Sequence, residues 1–372
     1  MGSRSPNHVF TFLTVFSSEG GIQSYVKDVL RAYLSLYNYA DADIFLLRDG
    51  VDCPNSFVSD SVGFHYFKSS SAWLGRLKMA WSLLTILIQN RPKQVFCGHI
   101  KLASLTRFLC QPLGIPYIVL TYGKEVWSPL PTLERLALQQ ASDIWTISRY
   151  SRDKLCKANG IEAKRVKILP CVVDGDRFTP APKPIDLTLK YNLKDAKVLM
   201  TVARLWSGDI YKGVDVTIRA LPKIKKVYPD IKYLVIGRGD DAPRLAKLAE
   251  DLGVKEQVIF AGFVPDEALV DHYRVADAYI MPSQEGFGIV YLEAMACGIP
   301  VLAGDADGSA DPLQDGRLGW RVPHRDPEAV AIACLEILAG NDPRCNGQWL
   351  REQTLMSFSQ QALAEKLKTI LS

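Results

Sequence analysis

Apolar runs alternate with stretches of helical periodicity along the whole chain. The run "HVFTFLTVF" leads through "SSEGG" into the amphipathic "IQSYVKDVLRAYLSLY", and "KVLMTVARL" starts the same rhythm again in the second half. Strand-like runs that alternate with helical patterns are typical of parallel βαβ units. The pattern therefore predicts an α/β fold built from Rossmann-like parallel sheets.

The restart of the pattern predicts two domains. A chain of 372 residues exceeds the size at which one core usually stops growing, and the proline-rich "PAPKP" interrupts the periodicity between the halves. We expect an N-terminal domain over residues 1–172, a C-terminal domain over residues 173–355, and a last helix over residues 356–372 that returns to the first domain. Such domains should face a central cleft at the carboxyl ends of their strands.

The composition favours a cytoplasmic protein without a membrane span. Hydrophobic residues make up 48% of the chain and charged residues 23%, and no apolar run has the roughly 18 residues of a membrane-spanning helix. The N-terminus lacks the pattern of a secretory signal peptide. The eight cysteines form no C-x-x-C pair, which is typical of reduced thiols in a cytoplasmic protein.

Two glycine-rich turns between a strand and a helix are candidate ligand contacts. Gly20 and Gly21 lie in "SSEGGIQ", where backbone N–H groups can approach an anion at a helix N-terminus. Gly237, Gly239 and Ala242 in "VIGRGDDA" match the dinucleotide pattern G-x-G-x-x-A. The second match does not open its domain, so the sequence favours an ordinary turn over a nicotinamide site.

Cations and acids follow two other strands of the second half. Arg204 ends "TVAR" and Lys212 precedes a helix, and both side chains suit a diphosphate. Downstream, "EGFG" opens another helix between Glu285 and Glu293. The two acids alone fit a catalytic pair, a cofactor clamp or two solvated charges. Beside the cations and the helix N-terminus, they suit sugar and ribose hydroxyls that flank a diphosphate.

Together these motifs resemble family 4 of the retaining nucleotide-sugar glycosyltransferases, which have the GT-B fold. The family's signature is a pair of glutamates with seven residues between them, read here as "EGFGIVYLE" and followed by "AMACGIPVLA". The segments "ARL" and "YKGVD" resemble its donor-phosphate region, "GGIQSYV" its N-terminal glycine loop and "VDGDRF" its interdomain segment. The matches occur in the family's order over nearly the whole chain.

The resemblance implies a role for each candidate residue. Arg204 and Lys212 would bind the diphosphate and stabilise the leaving group, while Glu285 would contact the sugar and Glu293 the ribose. The other donor contacts implied are the amides of Phe287, Gly288 and Ile289, the base-side residues Gly237, Arg238 and Phe263, and, from the first domain, Gly20 and Gly21. The acceptor oxygen would be deprotonated by the departing phosphate, with retained configuration and no carboxylate nucleophile.

Two segments depart from the family's pattern. Where members often have a histidine-glycine pair, this chain has Tyr122 and Gly123, so His99 in "FCGHIK" becomes the candidate cleft histidine. A helix-capping role for His99 is the alternative. The usual "GG-x-P-E" is replaced by "DGSADPL", so Gly308 and Ser309 are expected in an altered sugar-side loop.

No metal or other cofactor is expected. The segment "DADG", residues 305–308, mimics the metal-binding D-x-D motif of a different glycosyltransferase fold. Members with the GT-B fold generally dispense with a metal, because cationic side chains and a helix N-terminus hold the diphosphate. The resemblance favours UDP over GDP or ADP as the nucleotide, although no residue identifies the base.

The first half is also a candidate for contact with an anionic membrane. Residues 61–124 contain eight Lys and Arg and no acid, and "AWLGRLKMAWSLLTILIQN" mixes cations, tryptophans and aliphatic residues. An interfacial helix has this composition, and so does a helix packed on a sheet. We expect a saccharide or lipid-linked saccharide acceptor and a location in the cytoplasm, at the inner face of the membrane.

The function predicted is hexosyl transfer from a nucleotide sugar to an acceptor hydroxyl, in polysaccharide or glycolipid biosynthesis. A nucleotide-sugar epimerase or hydrolase of the same fold is an alternative, and so is a binding protein without turnover. Nucleic-acid binding is not expected, because the basic excess lacks a recognition motif.

Overall fold

The computed structural model describes residues 8–37, 42–59 and 62–371. It divides into two compact units. The first runs up to Cys171 and resumes at Gln360, and the second is Val172–Ser359. The sequence placed these limits at residues 172 and 355.

Each unit has its own sheet, and every strand pair in both is parallel. The strands of the first unit are β1 His8–Phe12, β2 Ala42–Leu46, β3 Val62–Tyr66, β4 Gln94–Cys97, β5 Tyr117–Leu120, β6 Asp143–Thr146 and β7 Val166–Ile168. Those of the second unit are β8 Val198–Val202, β9 Lys232–Ile236, β10 Val258–Gly262, β11 Ala278–Met281, β12 Val301–Gly304 and β13 Trp320–Val322. The predicted α/β class is confirmed.

Helices connect the strands. In the order of the chain they are α1 Gly21–Leu36, α2 Ala72–Asn90, α3 Ile100–Cys110, α4 Thr132–Gln140, α5 Arg149–Asn159, α6 Ile185–Lys190, α7 Val214–Val227, α8 Ala242–Asp251, α9 Asp266–Val275, α10 Ile289–Ala296, α11 Pro327–Ala339, α12 Gly347–Phe358 and α13 Gln360–Leu371. No helix in the described part of the chain is both long and apolar enough to cross a membrane.

The strand order gives each sheet one point where the direction of winding reverses. The first sheet has the order β3-β2-β1-β4-β5-β6-β7 and the second β10-β9-β8-β11-β12-β13. Winding therefore reverses between β1 and β4 in the first sheet and between β8 and β11 in the second. Ligands of such sheets bind outside the carboxyl ends of the strands at this switch point. The loops that follow these four strands are the candidate ligand contacts.

Helix α2 presents apolar side chains on two faces. Gly75, Met79, Leu83 and Leu87 are buried against the sheet, as expected of a helix that covers a parallel sheet. A second set remains exposed and is called the α2 stripe: Trp73, Leu77, Trp81 and Ile88, which are 55–74% exposed. At 3.6 residues per turn these four positions share one sector of the helix. The buried face is that of a helix packed on a sheet, and the interfacial role of the exposed face stays a prediction.

The end of the chain belongs to the first unit. Helix α13 packs on α1, where the Gln360 side-chain amide donates to Asp28 Oδ1 at 2.6 Å. Lys167 donates to the carbonyl of Ile370 at 3.3 Å. This helix starts at Gln360 and not at residue 356, because α12 continues to Phe358.

Candidate functional site

The switch point of the second sheet brings Lys212 and Glu285 together. Lys212 follows β8 and Glu285 follows β11, and the ammonium donates a hydrogen bond to Glu285 Oε1. Their side chains are only 16% and 17% exposed. The two loops are also joined by a backbone bond of 3.1 Å from Gln284 N to Tyr211 O. A partly buried ion pair thus stands where the topology predicts a ligand.

Gly213 allows the two loops to approach this closely. Its φ is +76°, and a Cβ at this position would lie 2.4 Å from the carbonyl oxygen of Pro282. Any larger residue would therefore push the Lys212 turn away from the Glu285 turn.

Arg204 lies at the rim of the same site. Its side chain is 69% exposed, and the guanidinium contacts Asp209 Oδ2 at 3.0 Å. A guanidinium has five N–H donors, so most remain available for a ligand. Asp209, which the sequence analysis missed, holds the arginine near the turn. The only signal for it was an acid within the loop "SGDIYK".

The turn from Glu285 to Gly288 is supported from below by the loop 305–309. Asp307 Oδ2 accepts the backbone N–H of Glu285 at 2.6 Å, and Asp307 Oδ1 accepts that of Ser309 at 2.9 Å. The N–H of Gly308 donates to the carbonyl of Glu285 at 2.8 Å. The altered loop at Gly308 and Ser309 therefore lies directly beneath the glutamate turn.

Asp307 is a structural carboxylate. It is 4% exposed, and burial raises its pKa to about 6. Both of its oxygens accept backbone N–H groups, so this second acid of the D-x-D match holds the loop together. Within residues 8–37, 42–59 and 62–371, no group of three or more His, Cys, Asp and Glu side chains is placed to hold a metal.

The N-terminus of α10 points out of this turn. Gly288, the residue before the helix, has a φ of +92°, and a Cβ there would meet the Tyr291 ring at 2.4 Å. Phe287 is 2% exposed and packs on Phe358, so only its backbone can reach a ligand. The first N–H groups of a helix have no intrahelical partner. Those from Phe287 to Ile289 can receive an anion.

Glu293 lies one turn further along α10 and has a different environment. Tyr273 donates to Glu293 Oε2 at 2.7 Å, and burial raises the pKa of Glu293 to about 7. Burial raises the pKa of Tyr279, and the charges of Glu293 and Glu285 add to this effect. The charges of both glutamates therefore reach Tyr279. Glu285 is paired with the Lys212 ammonium, whereas Glu293 accepts a hydrogen bond from the Tyr273 hydroxyl.

The G-x-G turn after β9 has a packing role. A Cβ at Gly237 would lie 1.8 Å from the Ala203 carbonyl oxygen, and one at Gly239 would lie 1.9 Å from that of Leu205. The glycines let this turn support the backbone on both sides of Arg204. Internal packing therefore accounts for the dinucleotide-like pattern.

Arg238 and Phe263 form an exposed aromatic and cationic surface beside that turn. The Arg238 guanidinium lies 4.8 Å from the centroid of the Phe263 ring, and Phe263 is 59% exposed. The residues follow β9 and β10, which are neighbours in the sheet. A flat ring held by a cation suits stacking with a planar base.

His99 caps α3 in the first unit. Its Nδ1 accepts the backbone N–H of Lys101 at 3.1 Å, so the proton of the neutral ring is on Nε2. Burial lowers the pKa of His99 to about 4, and the charges of Lys101 and Arg48 add to the effect. The capping role weighed in the sequence analysis is present. The ring also lines a cavity of about 180 Å³ at the first switch point, with Arg48 and Lys101.

Gly20, Gly21 and Tyr122 complete the candidates of the first unit. A Cβ at Gly21 would meet no heavy atom within 4 Å, so internal packing does not demand a glycine there. The following residues, Ile22 and Gln23, line the same cavity as His99. Tyr122 is buried and donates to the carbonyl of Gly98, so it has a packing role in place of the family's histidine.

Asp49 holds the loop that leads to Gly20, and the sequence analysis missed it. The carboxylate is fully buried and accepts three backbone N–H groups, from Val15 at 2.7 Å, Phe16 at 3.1 Å and Ser17 at 2.7 Å. No sequence signal pointed to it, because its partners come from a loop more than thirty residues earlier.

Comparison with known families gives two matches. Residues 20–171 match the model of a glycosyl transferase 4-like domain, and residues 196–340 match that of glycosyl transferases group 1. The two matches fall in the first and second units respectively.

Two curated relatives are mycobacterial mannosyltransferases. Both are named GDP-mannose-dependent alpha-(1-6)-phosphatidylinositol monomannoside mannosyltransferase. The protein of Mycolicibacterium smegmatis is 39% identical over 60% of this chain and 60% of its own length. That of Mycobacterium tuberculosis is 34% identical over 75% of this chain and 73% of its own length.

A solved structure shares the fold over nearly the whole chain. Anabaena Alr3699/HepE, crystallised in complex with UDP, superposes with a TM-score of 0.77 at 18% identity and covers 98% of this chain and 99% of its own. At that identity the likeness shows the fold alone. The predicted GT-B fold class is confirmed.

Proposed function

The chain belongs to family 4 of the nucleotide-sugar glycosyltransferases, and from this membership we propose that it transfers mannose from GDP-mannose to a phosphatidylinositol-based glycolipid. The predicted family and the prediction of a hexosyltransferase are confirmed by the family models and the curated relatives. The relatives' printed names support the donor and the acceptor. We further propose that the transfer retains the sugar's configuration and needs no metal or other cofactor.

The choice of GDP replaces the sequence's preference for UDP. Relatives that are 39% and 34% identical are named for GDP-mannose, whereas the structure that holds UDP is 18% identical. The nearer relatives carry more weight for a ligand. The exposed Phe263 ring and Arg238 suit a guanine as well as a uracil.

The observation that carries the proposal is the Lys212–Glu285 pair at the switch point. One N–H of the ammonium goes to Glu285, and the others remain for a phosphate oxygen. Arg204 and the N-terminus of α10 would hold the rest of the diphosphate. In this arrangement Glu285 accepts sugar hydroxyls and Glu293 accepts those of the ribose.

The reaction proposed breaks the bond from the sugar C1 to the diphosphate oxygen and forms one from C1 to the acceptor oxygen on the same face. The acceptor proton moves to the departing phosphate oxygen. Lys212 and Arg204 stabilise the charge that grows on that phosphate. Glu285 keeps its pairing with Lys212, so it positions the sugar and does not attack C1.

Peripheral membrane docking through the α2 stripe is the proposed route to the lipid acceptor. Trp73 and Trp81 are 61% and 74% exposed, and residues 61–124 carry eight cations and no acid. Aromatic and aliphatic side chains flanked by cations suit an anionic bilayer surface. All eight cysteines are free, which supports a reducing location and hence the cytoplasmic face of the membrane.

Docking is tested by flotation with vesicles that contain phosphatidylinositol. The wild type should float with the vesicles at low salt, and Trp73→Ser combined with Trp81→Ser should not. Leu133→Ser replaces a residue that is 62% exposed on α4 and serves as the matched control. Absence of wild-type binding at low salt would remove the docking proposal.

The transfer itself is tested with purified protein, GDP-mannose labelled in the sugar, and phosphatidylinositol monomannoside in vesicles. Label should enter the lipid with EDTA present, and NMR should show an α-linkage, as in GDP-mannose. Glu285→Gln should lower the rate at least tenfold. Glu352→Gln, an exposed residue on α12, should not.

Other outcomes would replace the proposal. Transfer from a UDP-sugar but not from GDP-mannose would make the donor assignment wrong. Free mannose released without an acceptor would indicate a hydrolase, and tight donor binding without turnover would indicate a binding protein.

A further inference from the structure

A second cavity of the first unit has no part in the mechanism above. It is an open cavity of about 300 Å³ beside the start of α2. Three cationic side chains line it, Arg48 after β2, Lys68 after β3 and Arg76 on α2, together with the serines 69–71. The three cations come from three different elements of the fold, so it is the fold that brings them to one cavity.

The three cationic side chains of this cavity are exposed to solvent. Arg48, Lys68 and Arg76 form no ion pair with any described carboxylate. Asp49, next to Arg48, is turned inward to the loop 15–17. Three like charges around one cavity repel one another, and a bound anion would relieve that repulsion.

Backbone donors add to the cations. Ser71 precedes α2, makes no side-chain capping bond, and no acid lies in the first turn of this helix. The first N–H groups of α2 therefore have neither a side-chain oxygen nor a nearby carboxylate to compensate them. The cavity combines these donors with two guanidinium groups, which match the geometry of a phosphate.

Two neighbouring features indicate what kind of phosphate fits. Arg48 also lines the 180 Å³ cavity that contains His99, so the two cavities share a wall. On the other side, the α2 stripe begins at Trp73, between the cavity residues Ala72 and Arg76. The cationic cavity therefore has the His99 cavity on one side and the apolar α2 stripe on the other.

We propose that the cavity of Arg48, Lys68 and Arg76 binds the phosphodiester of the lipid acceptor. The polyol of the acceptor then lies in the His99 cavity, and its acyl chains leave along the α2 stripe. This proposal rests on the proposed function, because it takes a glycosylated phosphoinositide as the acceptor. It assigns the recognition of the acceptor phosphate to three residues outside the donor site.

The test compares Lys68→Gln combined with Arg76→Gln against a control, Lys78→Gln, which removes a cation of α2 outside the cavity lining. The acceptor is a short-chain phosphatidylinositol monomannoside, used below its micelle concentration so that no membrane is present. The double variant should raise the acceptor KM about tenfold or more, with kcat and the KM for GDP-mannose unchanged. Circular dichroism and thermal melting should show that both variants are folded.

A phosphate-free acceptor, mannosyl inositol, separates phosphate recognition from a general defect. With it, the double variant and the wild type should have equal KM values. An unchanged KM for the phosphorylated acceptor would overturn the proposal. Loss of vesicle binding with an unchanged KM for the soluble acceptor would overturn it too, because the cavity would then bind bulk lipid.

Direct binding keeps this proposal distinct from the proposed function. Glycerophosphoinositol, titrated without any donor and followed by NMR, should bind the wild type and the control but not the double variant. If no transfer occurs to any lipid yet this binding pattern holds, the function fails and the phosphate site stands. If transfer occurs but glycerophosphoinositol binds all three proteins equally, the phosphate site fails alone.

Discussion

The carboxylate of Asp307 accepts the backbone N–H of Glu285 at 2.6 Å, across a sequence separation of 22 residues. A buried acid thus fixes the turn that presents Glu285, and it does so through the backbone. Lys212 fixes the same glutamate through its side chain. Glu285 is therefore held at two points before any substrate binds, which is the preorganisation that a transition state requires.

Replacing Asp307 should loosen this turn. In Asp307→Asn, one of the two carboxylate oxygens becomes an NH₂ group that cannot accept the N–H of Glu285 or Ser309. We expect kcat/KM for the donor to fall about tenfold or more, since one buried hydrogen bond to a charged group contributes about 1.5–3 kcal/mol. Steady-state kinetics would measure this.

Asp305→Asn is the matched control for Asp307→Asn. Asp305 is exposed and accepts the N–H of His324 at 3.1 Å, which an asparagine oxygen can also accept. Equal loss of activity in both variants would show that the loop, and not the contact to Glu285, matters.

Asp49 should be important for stability in the first domain. In Asp49→Asn, a single acceptor oxygen would face three N–H groups, from Val15, Phe16 and Ser17. We expect the free energy of unfolding to fall by about 1–3 kcal/mol, measured by urea denaturation. Asp52→Asn, at an exposed neighbouring position, should change it little. Unchanged stability in Asp49→Asn would contradict the proposed support of the glycine loop.

The raised pKa of Glu293 should make the folded protein less stable at high pH than at low pH. Its folded-state pKa is raised from 4.5 to about 7, so the folded protein binds this proton more tightly than the unfolded chain. The stability that this contributes is complete below about pH 4.5 and is lost as the pH rises towards 7. Glu293→Gln should therefore be more stable than the wild type at pH 8, by on the order of 3 kcal/mol.

The difference between Glu293→Gln and the wild type should shrink at pH 5, where both side chains are neutral. Thermal melting at the two pH values measures it. The same gain at pH 5 and pH 8 would mean that ionisation of Glu293 is not its cause.

Gly237→Ala should disrupt the packing of the turn after β9 against the backbone next to Arg204. The new Cβ would lie 1.8 Å from the Ala203 carbonyl oxygen, at a backbone φ of +136°. We expect a loss of about 3 kcal/mol or more, typical of severe overpacking. Gly208→Ala is the control, because a Cβ there would meet nothing within 4 Å. A melting temperature close to that of the wild type in Gly237→Ala would contradict the packing role.

The predicted strand runs "HVFTFLTVF" and "KVLMTVARL" contain β1 and β8, and the segment "AWLGRLKMAWSLLTILIQN" has the bounds of α2. Buried parallel strands such as β9, "KYLVI", are apolar after the first residue, and a continuous apolar run is easy to recognise in a sequence. Strand β3, "VGFHY", lies at the sheet edge and is mostly half-buried, so its polar and glycine residues concealed it. The start of the last helix was predicted at residue 356 instead of Gln360. Helices α12 and α13 are separated by Ser359 alone, so their sequences read as one continuous helical pattern.

The candidate site was predictable where residue type and spacing carry the signal. Lys212 in "YKGVD" and Glu285 in "EGFG" belong to two recognisable motifs, and the structure brings them together. Asp49 and Asp307 were not predictable, because their partners are backbone N–H groups of distant loops and any residue type supplies those. The role of Gly237 was equally hidden, since the carbonyl it avoids belongs to another strand.

The most direct test of the account is the affinity for GDP-mannose, measured by isothermal titration calorimetry with Lys212→Met. The control is Lys226→Met, an exposed lysine on α7. The account predicts that Lys212→Met binds GDP-mannose at least about tenfold more weakly than the wild type and that Lys226→Met binds it equally well. Equal affinity of Lys212→Met and the wild type would contradict a donor site at the switch point of the second sheet.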